Sequence, residues 1–221
     1  MLRGLFVTGT DTAVGKTVLA AALMHRYRGF GSLRYWKPIQ TGIEQDDDTN
    51  AVLNLAECIE SELHCSGIRL QRPVAPYLAA ELSGTRVSVE DIVRYVSSEP
   101  EDLRWIAEGA GGVLVPLNES ESIIDLIATL GLPVLIAARS SLGTINHTLL
   151  TIETLRRRNL GVAGVVLIGN RNPANRAAIE RFGSVKVIGE MPHFIALNSD
   201  SLGQWATSEF DSEGILARYF Q

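Results

Sequence analysis

Near its amino terminus the chain carries the stretch Gly9-Thr10-Asp11-Thr12-Ala13-Val14-Gly15-Lys16-Thr17. It is a complete phosphate-binding loop of the pattern G-x-x-x-x-G-K-[ST]. The apolar residues 5–7 predict a strand before the loop, and residues 18–24 predict a helix after it. In that context backbone N–H groups and the helix dipole face a phosphate, Lys16 neutralises the β- and γ-phosphates, and the Thr17 hydroxyl binds Mg²⁺. The loop therefore predicts a nucleotide-binding α/β protein.

The rest of the chain alternates predicted strands with predicted helices. Strands are expected at residues 33–36, 103–107, 133–138, 162–168 and 185–188. Helices are expected at residues 50–62, 89–96 behind the N-cap Ser88, 123–130, 146–158, 175–182 and from 212 onward, with a short one entered from a loop within 72–83. Continuous apolar strands are typical of parallel sheets. We expect a doubly wound α/β fold of the P-loop NTPase type, with helices on both faces of a mostly parallel sheet, in one domain over residues 1–221.

The composition narrows the range of partners. The 221 residues carry a formal net charge of −5, which gives no general nucleic-acid-binding surface. Cys58 and Cys65 fit neither a zinc pattern nor C-x-x-C, and we interpret them as reduced thiols of a cytoplasmic protein. Asp11 and Lys16 interrupt the apolar amino terminus, so we expect no signal peptide. No stretch of the sequence approaches the about 20 apolar residues that a membrane-spanning helix needs. We expect neither nucleic acid nor membrane as a partner.

Ligands of parallel α/β sheets bind at the carboxyl ends of the strands. The residues just past the predicted strand ends, which should share one rim, are residues 9–17, Lys37, residues 108–112, residues 139–143 and Asn170. Lys37 follows the second strand after the start of the chain, so its side chain should lie near the γ-phosphate. We interpret it as a second cation on the transferred phosphoryl group or on an anionic substrate.

Two acidic positions are candidate Mg²⁺ ligands. Asp46, Asp47 and Asp48 precede a predicted helix, where they either form a solvated acidic loop or supply one metal ligand. Asp48 is favoured because it lies nearest the helix start, although the sequence leaves the choice among the three open. Glu108 ends a buried strand, where a carboxylate is costly unless it is paired or metal-bound. Mg²⁺ takes few protein ligands beside phosphate oxygens, which fits one aspartate and Glu108.

Further short motifs follow the loop in a fixed order. They are Lys37-Pro38-x-x-Thr41-Gly42, Glu108-Gly109-Ala110-Gly111-Gly112, Leu142-Gly143-x-Ile145-Asn146-His147, Asn170 and Gly189-Glu190-x-Pro192. In this ordered set the chain resembles the dethiobiotin synthetase family over nearly its whole length. The resemblance implies an ATP- and Mg²⁺-dependent ligase that carboxylates 7,8-diaminononanoate with CO₂ or bicarbonate. It also implies that a carbamic–phosphoric anhydride then closes to the cyclic urea, with release of ADP and phosphate.

The resemblance also implies roles for the matching residues. Lys16 and Lys37 would be catalytic, stabilising carbamate and phosphoryl charge. ATP would contact Thr12, Ala13, Val14, Gly15, Lys16, Thr17, Val18, Glu108, Asn170 and Pro192. The diamine or its carbamate would contact Thr12, Lys37, Thr41, Gly111, Gly112, Leu142, Gly143 and Asn146. Mg²⁺ would lie on Thr17, Asp48 and Glu108. The family is homodimeric with its sites near the interface, so residues 142–146 would bind the substrate's distal carboxylate from the partner subunit.

Three alternatives are weaker than this interpretation. A ParA/MinD-like nucleotide-switch ATPase would carry an extra lysine early in the loop, where this chain has Asp11. A cobyrinate-type amidoligase would need a glutaminase domain, for which we expect no room. A catalytically silent regulatory relative would be expected to lose Lys16 or Lys37. The departures from the family pattern are Ala13, which is acidic in some members, and His193-Phe194 with the tail, which bear on base selectivity.

Overall fold

A seven-stranded parallel sheet forms the centre of the computed structural model, which describes residues 2–221. The strands are β1 (Arg3–Gly9), β2 (Leu33–Trp36), β3 (Ile39–Thr41), β4 (Leu63–His64), β5 (Ile68–Leu70), β6 (Arg104–Glu108), β7 (Val134–Arg139), β8 (Val162–Ile168) and β9 (Val187–Met191). The main sheet has the order β4-β2-β6-β1-β7-β8-β9, and β3 pairs with β5 in a small parallel sheet of its own. Since the paired strands are parallel, their carboxyl ends meet at one rim.

Helices cover both faces of the main sheet. They are α1 (Lys16–Tyr27), α2 (Asp48–Leu55), α3 (Pro76–Ser83), α4 (Val89–Arg94), α5 (Ile123–Leu130), α6 (Thr144–Arg157), α7 (Pro173–Gly183) and α8 (Ser199–Ser208). Successive residues of β1 point to opposite faces: Phe6 joins the apolar cluster that packs against α4, α5 and α6, whereas Leu5 and Val7 join the cluster that packs against α1 and α8. The predicted doubly wound α/β architecture is confirmed. No helix within residues 2–221 is both long enough and apolar enough to cross a membrane.

Several predicted elements have the bounds that the sequence indicated. The strands at 33–36 and 162–168 and the helix at 123–130 are observed unchanged. Gly131 ends that helix in the left-handed conformation, with φ 69°. Ser88 caps α4 as predicted, because its hydroxyl accepts a hydrogen bond from the Asp91 backbone N–H at 3.1 Å. At these positions the local spacing of apolar residues and the capping residues were sufficient to predict where the elements begin and end.

Two helix predictions were wrong. The helix expected over 50–62 ends at Leu55, and Glu57 then adopts a left-handed φ of 48° before a short 3₁₀ turn at Glu60–Glu62. The helix expected from residue 212 is absent: the last helix with α geometry in residues 2–221 is α8, and the tail contains only a 3₁₀ turn at Ala217–Tyr219. Asn198 caps α8 by accepting from the Ser201 N–H, a start signal that the sequence analysis missed.

Candidate active site

The phosphate-binding loop connects the end of β1 to the start of α1, as its motif predicts. Gly15 takes a φ of 94°, and a Cβ atom there would lie 2.9 Å from Ile168 Cδ1, so the position requires glycine. Lys16 is buried, and its ammonium donates to the Asp11 carbonyl at 3.2 Å. The lysine therefore lies folded along the loop, where a phosphate oxygen can take the place of that carbonyl as acceptor.

Four side chains from separate segments meet at the rim beside this loop. The Thr17 hydroxyl lies 2.9 Å from Asp48 Oδ1 and 3.0 Å from Glu108 Oε1. The Lys37 ammonium lies 2.5 Å from Asp48 Oδ2 and 2.7 Å from Glu108 Oε1. Lys37 is 3% exposed and Glu108 is fully buried. The rim thus holds two carboxylates, a hydroxyl and an ammonium in mutual contact, which we call the rim cluster.

Burial and charge act against each other in the rim cluster. Burial lowers the pKa of Lys16 and outweighs the nearby charge of Glu108. Burial also acts to lower the pKa of Lys37, but the charges of Glu108 and Asp48 prevail and raise it. For Asp48, burial acts to raise the pKa, but the charge and hydrogen bond of Lys37 prevail and lower it. Lys37 and Asp48 are therefore both ionised near neutral pH, so the ammonium stays available to an anionic ligand.

The three aspartates 46–48 at the start of α2 make different contacts. Asp47 caps the helix by accepting from the N–H groups of Thr49 and Asn50 at 2.8 and 3.2 Å. Asp46 contributes its carbonyl, which accepts from Gln40 Nε2 at 2.8 Å. Only Asp48 turns its carboxylate toward Thr17 and Lys37 within this run. The geometry supports Asp48 over its two neighbours as the candidate metal ligand.

The glycine-rich turn after Glu108 lies against the phosphate-binding loop. The Lys37 ammonium donates to the Gly109 carbonyl at 3.2 Å. Gly111 has a φ of 66°, and a Cβ atom added there would lie 3.8 Å from Thr12 Oγ1. A Cβ atom on Gly112 would lie 3.2 Å from the Gly9 carbonyl oxygen. The turn and the loop therefore approach closely, with Gly111 beside Thr12 and Gly112 beside Gly9, and binding of the substrate here stays a prediction.

Two cavities flank the phosphate-binding loop. The first, of about 610 Å³, is lined by Ala13, Val14, Gly15, Val18, Arg139, Ser140, Ser141, Ile168, Asn170, Arg171, Asn172, Met191, Pro192, His193, Phe194 and Leu197. The second is a groove of about 560 Å³ between the loop, residues 112–116 and the α6 side chains His147, Leu150, Thr151 and Thr154. We call these the base-side cavity and the turn-side groove. The loop separates them, so the phosphates of a nucleotide in the base-side cavity would point to the groove.

Some predicted substrate contacts lie outside both cavities. Thr41 is at the end of β3, and neither it nor Leu142, Gly143 or Asn146 lines the turn-side groove. Leu142 is fully exposed, and Gly143 precedes the first residue of α6. None of these four residues lines either cavity, and their contacts with the substrate stay predictions.

Sequence reasoning missed two contacts of the site. Tyr35 Oη donates to Glu108 Oε2 at 2.8 Å, and strand alternation, which places residues 35 and 37 on one face, could have indicated it. Arg139, which the sequence places at a strand end without a role, forms an ion pair with Asp11 at 2.6 Å. Arg139 also lines the base-side cavity, so the pair joins its wall to the phosphate-binding loop.

Comparison with known proteins decides the family. A family profile described as an AAA domain matches residues 3–201. The ATP-dependent dethiobiotin synthetase BioD of Paramagnetospirillum magneticum is 43% identical over 213 residues, which cover 96% of this chain and 99% of that protein. The chain belongs to the dethiobiotin synthetase family. BioD of Rhodopseudomonas palustris strain BisB5 is 40% identical over 98% of each chain. The bifunctional biotin biosynthesis protein BioCD of Bordetella avium is 43% identical over 92% of this chain and 42% of its own length.

Solved structures place this member of the dethiobiotin synthetase family in a wider fold. A ParA family ATPase from Chlorobium tepidum aligns with a TM-score of 0.56 and 10% identity, over 93% of this chain and 98% of that one. MinD of Pyrococcus horikoshii, complexed with Mg-ADP, aligns with a TM-score of 0.55 and 10% identity, over 99% and 95%. At such identity the likeness shows the P-loop NTPase fold alone. The predicted fold and the predicted ATP-dependent dethiobiotin synthetase function, a ligase of biotin biosynthesis, are confirmed, and the ParA/MinD alternative is a likeness of fold.

Proposed function

We propose that the rim cluster joins 7,8-diaminononanoate to CO₂ at the expense of ATP, with Mg²⁺ bound. The observation that carries this proposal is the buried Lys37 ammonium, held between Asp48 and Glu108 beside the phosphate-binding loop. One amine of the substrate takes up CO₂ as a carbamate, and a carbamate oxygen attacks the γ-phosphorus while ADP leaves. The second amine then attacks the carbamoyl carbon, and phosphate leaves as the cyclic urea closes.

In this proposal the protein promotes the reaction by electrostatic stabilisation and by positioning the reactants. Lys16 and Lys37 donate to oxygens on which negative charge resides or develops, the β- and γ-phosphate oxygens and the carbamate. Both lysines are buried, so a solvent shell does not weaken these interactions. Attack by a substrate carbamate needs no nucleophile from the protein, and alignment of the bound reactants supplies much of the rate enhancement.

The two reactants occupy opposite sides of the phosphate-binding loop in this proposal. The adenine base lies in the base-side cavity near Asn170 and Pro192, which line it together with Ala13, Val14 and Val18. The diamine end of the second substrate lies in the turn-side groove near Thr12 and Gly112. This placement directs the γ-phosphate toward the carbamate across Lys16 and Lys37.

The oxygen donors of the rim cluster fit Mg²⁺. Thr17, Asp48 and Glu108 offer a hydroxyl and two carboxylates, the hard ligands that Mg²⁺ combines with phosphate oxygens. Residues 2–221 hold no group of three or more His, Cys, Asp and Glu side chains that could bind a metal. We assign the ion to Thr17, Asp48 and Glu108 together with the nucleotide, because these residues place hard oxygen ligands beside the phosphate-binding loop. When bound, it neutralises phosphate charge.

We further propose a cytoplasmic homodimer. Leu114 and Leu150 line the turn-side groove although they are 65% and 53% exposed, and Leu142 beside α6 is fully exposed. A second copy packed here would bury these side chains and bring the start of its α6 to the groove. The helix dipole of that α6 would attract the distal carboxylate of the substrate. Cys58 and Cys65 are both free, which fits a reducing compartment.

A coupled assay of ADP release tests the reaction directly. Enzyme, ATP and Mg²⁺ are combined with 7,8-diaminononanoate, with bicarbonate, with both, or with neither. We expect ADP release to depend strictly on both, with dethiobiotin formed in equal amount. A rate of ATP hydrolysis that is independent of the diamine and increases with DNA or lipid vesicles would contradict the proposal and favour a nucleotide-switch ATPase.

A further inference from the structure

Glu108 is held from two sides by different elements. Its Oε1 atom faces the rim cluster, 3.0 Å from the Thr17 hydroxyl and 2.7 Å from the Lys37 ammonium. Its Oε2 atom accepts from Tyr35 Oη at 2.8 Å. Tyr35 and Glu108 are both fully buried, so water does not substitute for this contact. The hydroxyl of Tyr35 therefore determines which carboxylate oxygen is left for the site.

The strands fix this contact in space. Tyr35 lies on β2 and pairs with Ile106 of the adjacent β6, the strand that ends at Glu108. The Tyr35 ring is fully buried in the apolar cluster that packs against α1 and α8, so it has little rotational freedom and its hydroxyl is a rigid donor. The other oxygen of Glu108, Oε1, contacts Thr17 and Lys37, which belong to the proposed metal and substrate site. Tyr35 is thus a contact of Glu108 that lies outside the groups proposed to bind metal and substrate.

We propose that Tyr35 is a positioning residue that sets the Mg²⁺ affinity of the nucleotide-loaded enzyme by orienting Glu108. This inference rests on the proposed function, in which Glu108 is a metal ligand. Loss of a partner that orients a metal-binding side chain typically lowers metal affinity or activity by about 10- to 100-fold. Without the Tyr35 hydroxyl, Glu108 can rotate, and one of its oxygens is left buried without a donor.

The chain contains a matched control for this contact. Tyr27, at the opposite end of α1 from Lys16, donates to Asp211 Oδ2, and both residues are 1% exposed. Asp211 otherwise accepts from the Ile215 and Leu216 N–H groups of the tail at 2.8 and 2.9 Å. Tyr27→Phe therefore removes the same kind of buried tyrosine–carboxylate bond, away from the rim cluster.

The test compares Mg²⁺ binding by Tyr35→Phe and Tyr27→Phe. Calorimetric titration of Mg²⁺ into enzyme saturated with a non-hydrolysable ATP analogue measures affinity without turnover, at a temperature where circular dichroism shows each variant folded. We expect Tyr35→Phe to weaken Mg²⁺ binding about tenfold or more, and saturating Mg²⁺ to restore most of kcat. Tyr27→Phe should lower the melting temperature and leave Mg²⁺ affinity unchanged. Equal Mg²⁺ affinity in the two variants would overturn the inference.

A third variant separates this inference from the proposed function. Glu108→Gln should weaken Mg²⁺ binding by itself, and adding Tyr35→Phe to it should cause little further loss. If Glu108→Gln binds Mg²⁺ normally, the proposed metal role of Glu108 is wrong and the inference falls with it. If Glu108→Gln weakens Mg²⁺ binding and Tyr35→Phe does not, Glu108 keeps its proposed role as a metal ligand and only the positioning role of Tyr35 is wrong.

Discussion

Lys37 Nζ lies 2.7 Å from Glu108 Oε1 in a part of the fold where neither side chain meets solvent. The same ammonium contacts Asp48, so one cation separates two carboxylates that would otherwise repel each other. A buried charge left without its partner costs several kcal/mol, so this ion pair contributes to stability in addition to its proposed catalytic role. Variants of the site must therefore be assessed for stability and activity together.

Lys37→Gln should abolish dethiobiotin formation, with kcat reduced at least about 100-fold, because the carbamate and phosphoryl group lose a fixed cation. The fold should persist with a free energy of unfolding lowered by about 3–5 kcal/mol, since Glu108 and Asp48 lose their shared partner. Product formation and thermal melting measure the two effects. Lys186→Gln is the matched control, because Lys186 is exposed and 3.8 Å from Glu213. Near-normal turnover of Lys37→Gln would remove its catalytic role.

Glu108→Ala should strongly raise the Mg²⁺ concentration needed for half-maximal activity, because one of two carboxylates leaves the proposed metal site. Steady-state rates over a Mg²⁺ series at saturating ATP measure the shift. Glu190→Ala serves as a control on the same sheet, since Glu190 pairs with Arg176 at 3.2 Å on β9. An unchanged metal dependence in Glu108→Ala would exclude Glu108 from the ligand set.

Asn170→Ala should raise the KM for ATP and reduce the preference for ATP over GTP, because the amide that we propose to read the base edge is lost from the base-side cavity. The ratio of kcat/KM values for the two nucleotides is the measurement. Asn54→Ala, an exposed position on α2, should leave the ratio at the wild-type value. A ratio that stays constant in Asn170→Ala would show that the base is selected elsewhere in the cavity.

Leu150→Asp should convert the proposed homodimer to monomer, because a charge enters the apolar face around the turn-side groove. Sedimentation velocity gives the mass, and the KM for the diamine should rise as the partner's α6 is lost. Phe182→Asp on α7 is the control, since that side chain is 66% exposed and does not line the groove. If wild type and Leu150→Asp have the same mass, the proposed interface is wrong.

The two cysteines should differ in reactivity and in their effect on stability. Burial raises the pKa of Cys58 from 9.0 to about 11, so at pH 8 a thiol reagent should modify exposed Cys65 first. Because the raised pKa favours the neutral thiol in the folded state, its stabilisation is complete below pH 9 and is lost as the pH rises through about 11. Denaturant titrations from pH 8 to pH 11 check this sign. Cys58→Ala should flatten the decline, whereas Cys65→Ser should not.

The sequence by itself determined the features that depend on neighbouring residues. The loop motif, the strand at 162–168 and the helix closed by Gly131 follow from glycine conformation, apolar periodicity and capping, which act over a few residues. The rule that parallel strands present their carboxyl ends to one rim then selected Lys37 and Glu108 before any contact was known. The predicted substrate contacts Thr41, Leu142, Gly143 and Asn146 stay predictions.

Only the tertiary structure decided how distant segments meet. Residues 17 and 108 are separated by 91 positions, and residues 27 and 211 by 184, yet each pair is in direct contact. Asp48 differs from Asp46 and Asp47 only in the direction of its carboxylate, which follows from the cap at Asp47 and the packing of α2. The tail is held by Asp211, whose carboxylate accepts from Ile215 and Leu216, and local propensity there indicated a helix. Burial and long-range hydrogen bonding outweigh such local preferences, because an unpaired buried charge costs more than a helical turn contributes.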